Sequence, residues 1–287
     1  MLHANAMPHH PRTGRPLRVV TFNIRLGIAD DGPDSWPHRK PRVAALMQAL
    51  CPDILAVQEA YDFQLEFLME TLSDFWLEGV GREDGEREGE WSAVLGRRGR
   101  LTPAAAGTFW FSDTPDVPGS LGPGARCTRT ATWVQIFDDA LRVPFTVVNQ
   151  HWDHESDAAR KLAARMLAAR LPSLADGRPV VVAGDFNCGE DDPAIGALLE
   201  GLPLRNAYRE IEVSAPADTF HGFTGEPLPG MIDQILVSSE WRVVAAGVER
   251  RRFAGGWPSD HFPVWADIAL DGAYPLVDRH ADGSRAL

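Results

Sequence analysis

Polar residues that could carry acid–base or metal chemistry recur at the ends of short apolar runs along this chain. They are Asn23, Glu59, His151, Asp153, Asp185, Asn187, Asp233, Asp260 and His261. Residues i and i+2 of a β-strand share a face. The pairs predicted to project together are Asn23 with Arg25, His151 with Asp153, and Asp185 with Asn187. Each pair would then leave one end of a buried strand.

The set combines carboxylates, amides and imidazoles, and together these groups indicate hydrolysis. Hard oxygen ligands suit Mg²⁺ or Mn²⁺ rather than zinc. A carboxylate beside amides and imidazoles can deprotonate a water, and N–H donors can stabilise oxyanions. Each motif alone has an ordinary interpretation, since GDFN is typical of a turn and a single histidine is usually a hydrogen-bonded structural residue. However, the apolar run VVVAGD ends in a carboxylate that must be solvated or paired. The combination predicts metal-assisted hydrolysis of a phosphoester.

The elements that would position these residues alternate between strands and helices. We predict strands over residues 18–26, 53–57, 91–95, 132–137, 145–151, 179–185, 232–237 and 263–270, and helices over 42–50, 62–72, 156–171 and 192–199. Hairpin-like strand pairs are mixed with helical crossovers, which favours one α/β domain with mixed sheets. We expect this domain to span residues 17–270, between a disordered tail at 1–16 and a loose tail at 271–287, with Met7 as an alternative start to Met1.

The amino-acid composition indicates the cellular compartment and the kinds of binding partner to expect. The chain has 287 residues, a net charge of −12 and three scattered cysteines, which fit no metal spacing and indicate free thiols in a reducing compartment. We therefore expect a cytoplasmic protein, without a membrane partner, and a monomer. A protein that grips long nucleic acid usually presents a basic surface, so 28 basic against 40 acidic residues favours a smaller phosphorylated substrate without excluding nucleic acid.

Taken in order, TFNIR, QEA, NQHWDH, GDFN, MIDQIL and SDHFPV resemble the motifs of the endonuclease/exonuclease/phosphatase superfamily. This superfamily includes pancreatic deoxyribonuclease and the inositol polyphosphate 5-phosphatases. The matching stretches run from residue 21 to 264, and SWPHRK, CTRTATW and TFHGF are similar to an uncharacterised bacterial branch. The resemblance implies a deoxyribonuclease-like four-layer α/β/β/α sandwich of two mixed sheets.

The resemblance also implies a role for each matching residue. Glu59 is the main ligand for Mg²⁺ or Mn²⁺, Asn23 helps to hold metal or phosphate, and Asp260 lies near the metal or a second metal. Asp185 deprotonates or positions the attacking water, and Asn187 orients it. His151 contacts a phosphate oxygen, and His261, oriented by Asp233, stabilises the transition state. Arg25 and His151 stand where apurinic endonucleases carry an acidic residue and a tyrosine, which argues against abasic-site repair.

Six further residues are candidates for contacting substrate. They are Arg25, Arg126, Arg129, Asp153, His221 and Trp110. The two arginines that follow the Pro/Gly-rich loop 112–128 would clamp a phosphate, unless they pair with some of the many carboxylates. Trp110, Trp152 and Trp36 could stack on a base or a sugar, although such tryptophans are often part of the core. His221 in TFHGF could line the site.

Three functional classes remain open from the sequence. The first is a magnesium-dependent phosphatase or phosphodiesterase, and the second is a nuclease cleaving DNA or RNA. The third is a non-catalytic binding module, which is disfavoured because Glu59, Asp185 and His261 are all present. Among other metallohydrolases, HWDH resembles the HxHxDH signature, but Asn149 replaces its first histidine, and no GNHD stretch follows GDFN. A serine hydrolase is disfavoured because the chain has no GxSxG motif.

Overall fold

Two six-stranded mixed sheets form the centre of the protein in the computed structural model, which describes residues 15–212 and 217–271. The first sheet contains β1 (Leu17–Asn23), β2 (Ile54–Ala60), β3 (Phe75–Glu78), β4 (Trp91–Arg97), β11 (Trp241–Val248) and β12 (Val264–Leu270). Its strand order is β11-β12-β1-β2-β4-β3. The second sheet contains β5 (Leu101–Trp110), β6 (Thr130–Asp138), β7 (Val143–His151), β8 (Val180–Asp185), β9 (Leu204–Asn206) and β10 (Asp233–Ser238). Its order is β5-β6-β7-β8-β10-β9.

Four helices cover the outer faces of the two sheets. They are α1 (Trp36–Leu50), α2 (Asp62–Thr71), α3 (Asp157–Ala175) and α4 (Pro193–Gly201). Three apolar clusters separate the layers. Residues of both sheets, such as Val19 and Val181, share the central cluster. Phe22 packs with Leu46 of α1 in the second cluster, and Leu167 of α3 packs with residues of the second sheet in the third. This arrangement confirms the α/β/β/α sandwich.

Each sheet has a parallel pair of strands at its centre, β1 beside β2 and β7 beside β8. Asn23 closes β1, and Glu59 lies near the end of β2; His151 and Asp185 face each other at the last paired positions of β7 and β8. The antiparallel strand β10 begins at Asp233, directly opposite Asp185. Ligands of α/β proteins commonly bind beyond the carboxyl ends of parallel strands. The topology therefore gathers the predicted polar residues at one edge of the sandwich.

A buried polar bridge joins the two sheets near this edge. Gln58 Nε2 donates to Asn149 Oδ1 at 2.6 Å, and Asn149 Nδ2 donates to the carbonyl oxygens of Val57 and Ala93 at 2.8 and 2.7 Å. Both side chains are fully buried. These hydrogen bonds resist sliding of one sheet over the other, because any shift leaves Gln58 Nε2 or the Asn149 amide unpaired. Gln58 Oε1 has no hydrogen-bond partner among the described residues. The bridge therefore fixes the relative position of the sheets whose ends carry the site.

Several local expectations need correction. The strands end at Asn23, His151 and Asp185, so the residues two positions later lie outside them and do not share a strand face. Helix α1 begins at Trp36 rather than at residue 42, because Pro37 occupies its first turn and Pro41 is accommodated inside it. Strands β3, β5, β9 and β11 were not predicted. They lie at the sheet edges, where hydrogen bonding to a neighbouring strand stabilises segments whose local sequence gives only a weak strand signal.

Within residues 15–212 and 217–271, none of the helices has the length and apolar character needed to span a membrane. The first strand begins at Leu17 and the last ends at Leu270. A single domain over residues 17–270 stays a prediction, which limited proteolysis would test. The predicted tails fall almost entirely outside the described residues.

Candidate active site

Glu59 and Asn23 form the part of the site that the first sheet contributes. Asn23 Nδ2 donates to Glu59 Oε1 at 3.0 Å, and the Leu26 amide donates to Glu59 Oε2 at 2.9 Å. Burial alone would raise the pKa of the Glu59 carboxyl group. The hydrogen bond from Asn23 and the charge of His261 outweigh burial and hold the pKa of Glu59 below its usual value. Glu59 is therefore a carboxylate, the form in which it can hold a cation.

Three site residues adopt a backbone conformation that is unusual for side chains with a Cβ atom. The φ angles of Arg25, Glu59 and Asn187 are 60°, 60° and 50°. Each residue lies at or just beyond a strand end, and Glu59 coincides with the irregularity in the pairing of β2 with β4. Such conformations are costly, and in proteins they cluster at functional sites. Here the left-handed turns bring the chain across the edge of the sandwich.

The turn after β1 is held by two side chains from the outer helices. Arg39 of α1 is fully buried and donates to the carbonyl oxygens of Ile24 and Arg25. Gln64 of α2 donates to the Arg25 carbonyl at 3.0 Å and accepts from the Gly27 amide at 2.8 Å. These contacts fasten the turn that brings the Leu26 amide to Glu59. Neither Arg39 nor Gln64 was a sequence candidate, because both appear in the sequence as ordinary helix residues.

Asp185 lies between Asn23 of the first sheet and the two histidines of the site. Its Oδ2 atom accepts a hydrogen bond from Asn23 Nδ2 at 2.9 Å and lies 3.5 Å from His151 Nε2 and 4.0 Å from His261 Nε2. Burial and the charge of Asp233 raise the pKa of Asp185 to about 7. Gly184, just before it, has φ 148°, and a Cβ atom there would lie 2.0 Å from the Gln150 carbonyl oxygen. Only glycine allows β7 and β8 to approach so closely at this edge.

His261 is bound to a carboxylate. Its Nδ1 atom lies 2.8 Å from Asp233 Oδ2, and both side chains are buried. Burial lowers the pKa of the imidazole, but the charge and hydrogen bond of Asp233 and the nearby Asp185 outweigh it and raise the pKa of His261 to about 10. The ring is therefore an imidazolium at neutral pH, with its Nε2–H on the side of Asp185.

His151 is bound to a guanidinium instead. Arg129 Nη1 lies 2.8 Å from His151 Nδ1 and 2.9 Å from Nε2, while Arg129 Nη2 lies 3.0 Å from His154 Nδ1. A guanidinium can only donate, so the ring must keep an unprotonated nitrogen. Burial, followed by the charges of Arg129 and Arg82, lowers the pKa of His151 well below its ordinary value. His151 is therefore neutral.

Oxygen atoms dominate the donors that could hold a cation. Asp260 is buried, with Oδ2 3.7 Å from Arg25 Nε, and Arg25 also donates to Asp31 at 3.0 Å. Burial, with Glu59 nearby, raises the pKa of Asp260. Carboxylate and amide oxygens are ligands that hard divalent cations prefer. Glu59, Asn23 and Asp260 therefore suit a hard divalent cation.

A second cluster brings together the potential donor atoms of Asp185, Asp233 and His261, which all lie within 4.8 Å of one another. The Nδ1 atom of His261 is occupied by its bond to Asp233, and an imidazolium has no lone pair for a metal. This cluster is thus better described as a proton-handling group beside the cation site. The Oδ1 atom of Asp233 is buried without a hydrogen-bond partner among the residues that the structure describes.

The charged loop 81–90 contributes residues that the sequence analysis missed. Glu90 Oε2 lies 2.6 Å from Arg82 Nη1 and 3.9 Å from Arg129 Nη1. Burial and the charge of Glu59 raise the pKa of Glu90, against the opposing charge of Arg82. The position of Glu90 immediately before the strand Trp91–Arg97 was the available signal, because β4 pairs with β2 beside Glu59.

Of the remaining predicted substrate contacts, Arg126 is exposed and Asp153 is buried. The Arg126 side chain is 70% exposed, with Nε 3.9 Å from Glu155, so it is free to move towards a ligand. Asp153 is buried and accepts from the backbone amides of Arg126, Glu155 and Ser156. Asp153 therefore shapes the loops, and its contacts to a substrate stay a prediction.

Two aromatic candidates lie mostly inside the protein. Trp110 is buried, and its indole N–H donates to the Arg82 carbonyl at 2.6 Å. His221 is buried and stacks on Phe262 with ring centroids 4.0 Å apart. Trp152 and Trp36 are also buried, so little of either ring is free to stack on a substrate.

The fold and the convergent polar edge define a phosphoesterase or nuclease fold. A model of the endonuclease/exonuclease/phosphatase family matches residues 20–261, and the chain belongs to this family. A family protein from Bacteroides thetaiotaomicron is 30% identical, with a TM-score of 0.83, and the match covers 89% of this chain and 98% of that one. The mannosyl-6-phosphatase of the same organism is 30% identical, with a TM-score of 0.83, over 88% of this chain and 100% of that one.

Two further proteins are similar to this chain at lower sequence identity. The catalytic domain of human Nocturnin is 18% identical, with a TM-score of 0.71, and the match covers 89% of this chain and 95% of that one. An uncharacterised protein of Acanthamoeba polyphaga mimivirus is 27% identical over 191 residues, which are 60% of this chain and 67% of that protein. Members of the family are hydrolases of phosphoesters.

Proposed function

We propose that this protein is a divalent-metal-dependent phosphoester hydrolase that acts on small phosphomonoesters. The observation that carries the proposal is the convergence on Asp185 Oδ2 of an amide N–H from Asn23 and the Nε2 atoms of two imidazoles. A base surrounded by hydrogen-bond donors is the arrangement needed for a water to attack a phosphorus atom whose oxygens are held.

In this proposal Asp185 accepts the proton of the attacking water. A base whose pKa lies near the working pH combines a useful ionised fraction with a favourable proton transfer, and the pKa of Asp185 is about 7. Asn187, whose Nδ2 atom donates to the Trp152 carbonyl at 2.9 Å, orients the water. His261 donates from Nε2 to a phosphoryl oxygen and neutralises charge that develops there. Neutral His151 donates to a second oxygen without adding charge.

The cation is proposed to be Mg²⁺ or Mn²⁺, held by Glu59, Asn23 and Asp260. When bound, it would polarise a phosphoryl oxygen and stabilise the charge of the transition state. Arg25, which is paired with Asp31 and close to Asp260, would then lie next to the phosphate.

The substrate class rests on two observations. The 30% identical mannosyl-6-phosphatase is covered over its full length, which supports a sugar phosphate or a similar small phosphomonoester. Three arginines near the site are also engaged within the protein, Arg25 with Asp31, Arg82 with Glu90, and Arg129 with two histidines, whereas Arg126 is exposed. They form no free basic track for a nucleic-acid backbone. The nuclease alternative therefore has less support.

A substrate panel tests this proposal. Release of phosphate or nitrophenol is measured from hexose 6-phosphates, inositol phosphates, p-nitrophenyl phosphate and bis-p-nitrophenyl phosphate. Shortening of the strand is measured for single-stranded DNA and RNA. Each substrate is tested with Mg²⁺ and with excess EDTA. We expect the highest kcat/KM on a sugar phosphate, and loss of activity in EDTA. Preference for DNA or RNA would establish the nuclease alternative, and full activity in EDTA would refute metal dependence.

Glu59→Gln provides the matched test of the cation site. The amide keeps the shape of the side chain but removes its charge, so Mg²⁺ affinity and activity should fall together. Glu78→Gln is the control, because Glu78 lies on β3 at the opposite edge of the first sheet from β11 and takes no part in the site. Equal Mg²⁺ affinity in the two variants would show that Glu59 does not bind the cation.

A further inference from the structure

A second group of potential metal ligands lies outside the centre formed by Asp185. The donor atoms of Cys127, Asp153 and His154 all lie within 4.8 Å of one another. The cysteine precedes β6, whereas the other two follow β7, so their sequence spacing gives no sign of a common site. Sulfur, nitrogen and carboxylate oxygen together are the donors that Zn²⁺ prefers, not the oxygen set that suits Mg²⁺.

Backbone hydrogen bonds of Asp153 hold this group together. Asp153 Oδ2 accepts from the Arg126 amide at 2.8 Å, which fixes the residue next to Cys127. Asp153 Oδ1 accepts from the amides of Glu155 and Ser156 at 2.9 and 2.7 Å, which fixes the loop containing His154. Each carboxylate oxygen has two lone pairs. Oδ1 is therefore fully used, and Oδ2 keeps one lone pair for a cation.

The surroundings of His154 match those of a metal-bound imidazole. Its Nε2 atom lies 3.4 Å from Glu155 Oε1. Histidines that bind metals usually donate their second N–H to a carboxylate or carbonyl, which fixes the tautomer. With Nε2 protonated towards Glu155, Nδ1 carries the lone pair. That lone pair accepts from Arg129 Nη2 at 3.0 Å in the present structure.

We propose that Cys127, Asp153 and His154 form a binding site for a thiophilic divalent cation, Zn²⁺, whose occupation competes with the Arg129–His154 hydrogen bond. The donors would be the Cys127 thiolate, Asp153 Oδ2 and His154 Nδ1, with water completing the coordination. Burial raises the pKa of the Cys127 thiol, so zinc binding must release its proton to water. A zinc ion and a guanidinium cannot share the single lone pair of Nδ1. Binding therefore releases one arm of Arg129 from His154.

The release of Arg129 connects this site to the catalytic centre. The other arm of Arg129 contacts both ring nitrogens of His151. With His154 bound to zinc, Arg129 loses one of the two imidazoles that position it, and the cation adds positive charge beside it. We therefore expect Zn²⁺ to inhibit hydrolysis. This inhibition rests on the proposed function, whereas the binding of zinc does not.

Cobalt spectroscopy tests the binding by itself. Co²⁺ is added to the intact protein in excess Mg²⁺, and the near-ultraviolet thiolate-to-cobalt charge-transfer absorption is recorded. None of the proposed Mg²⁺ ligands Glu59, Asn23 and Asp260 is a cysteine, so only a thiolate site gives this band. We expect a band that Zn²⁺ abolishes by competition. It should be lost in Cys127→Ser and His154→Gln, and kept in Cys51→Ser, whose thiol is also half-buried.

The cobalt experiment has outcomes that overturn the proposal. Absence of the band from the unmodified protein would refute the site, as would its retention in Cys127→Ser. Circular dichroism confirms that each variant is folded. If His154→Gln unfolds, His154→Asn serves as the second test of the same ligand.

Inhibition is measured separately, with Zn²⁺ titrated against hydrolysis of the best substrate in saturating Mg²⁺. Loss of a group that only orients a metal ligand weakens metal binding about 10–100-fold, and loss of the ligand itself should weaken it at least as much. The inhibitory concentration should rise by at least about tenfold in Cys127→Ser, and stay unchanged in Cys51→Ser. Equal inhibition of the two variants would place inhibitory zinc at the Mg²⁺ site and refute the coupling. If no substrate is hydrolysed, the proposed function fails while the cobalt result still decides the binding site.

Discussion

His261 and His151 both lie next to Asp185 Oδ2, at 4.0 and 3.5 Å, but their partners carry opposite charges. His261 is bound to the carboxylate of Asp233, and its pKa is raised to about 10. His151 is bound to the guanidinium of Arg129, and its pKa is lowered. Both rings are buried, so burial does not explain the difference. The partner decides the charge: one imidazole acts as a cation and the other as a neutral donor.

This difference matters for a reaction at phosphate. Two imidazoliums would stabilise an anion more strongly, but they would also lower the pKa of Asp185 and weaken it as a base. In the proposed reaction, one cationic and one neutral ring would place donors on both sides of the phosphoryl group while Asp185 keeps its raised pKa.

The largest effect is expected for Asp185→Asn. The amide keeps the shape of the side chain but cannot accept a proton from water. We expect kcat to fall by about 10²–10⁴-fold, the contribution of a positioned general base. The measurement is kcat on the best substrate, with circular dichroism as a control for folding. A folded variant with near-normal kcat would show that Asp185 is not the general base.

His261→Gln should have the next largest effect. The change removes a cationic donor, so kcat should fall by about 10²–10³-fold, the range for a lost oxyanion donor. Asp233→Asn should lose less, because the ring stays in place but loses its charge. The double variant should be little worse than His261→Gln, since groups that act as a unit are not additive. Additive changes in the activation free energy would show that Asp233 and His261 act independently.

Arg129→Met should have a smaller effect on rate and a distinctive effect on titration. Loss of a group that orients a functional histidine costs about 10–100-fold, and we expect the lower part of that range. The pKa of His151 should rise towards its ordinary value of about 6.5 once the positive charge is removed. NMR of labelled histidines follows the ring, and Arg126→Met, which removes an exposed arginine, is the control. An unchanged His151 titration would contradict the role of Arg129.

The smallest effect concerns stability in the metal-free protein. The folded-state pKa of His261 is raised, so its contribution to stability is present below about pH 6.5 and is lost as pH rises towards 10. The folded-state pKa of His151 is lowered, so the unfolded chain binds more protons below about pH 6.5 and stability falls as pH falls. Each slope is at most about 1.4 kcal/mol per pH unit.

Denaturation with urea at several pH values measures these two slopes. His261→Gln should flatten the decline on the alkaline side, and His151→Gln should flatten the decline on the acid side. Because the two slopes have opposite signs, each variant serves as the control for the other. The same change in both variants would mean that the two imidazoles do not differ in charge.

The sequence by itself determined the fold class and the group of residues that meet. The motifs from TFNIR to SDHFPV, in order, predicted the four-layer sandwich, and the model of the family matches residues 20–261. Asn23, Glu59, His151, Asp185 and Asp233 could be predicted as neighbours because they lie at or near strand ends. Strand ends in one sheet share an edge, so local sequence groups Asn23 with Glu59 and His151 with Asp185 and Asp233. The packing of the two sheets brings the two groups together.

Edge strands were less predictable. Strand β5 reads LTPAAAGTFW, whose proline, alanines and glycine have low strand propensity, yet it pairs with β6 from Leu101 to Trp110. Strand β11 pairs only with β12. Tertiary pairing overrides weak local preference in such strands, which is why four of them were missed. In contrast, runs such as PVVVAGD are buried on both faces and carry a strong local signal.

Only the tertiary structure decided which charge each histidine carries. His151 and His261 have similar sequence surroundings, each with an aspartate nearby in the chain. Asp153 accepts hydrogen bonds from backbone amides and not from the His151 ring. Arg129, the residue immediately before β6, lies beside His151 instead. Asp233 reaches His261 from β10, 28 residues earlier. A buried pKa depends on charges within a few ångströms, and these come from segments that are distant in the chain.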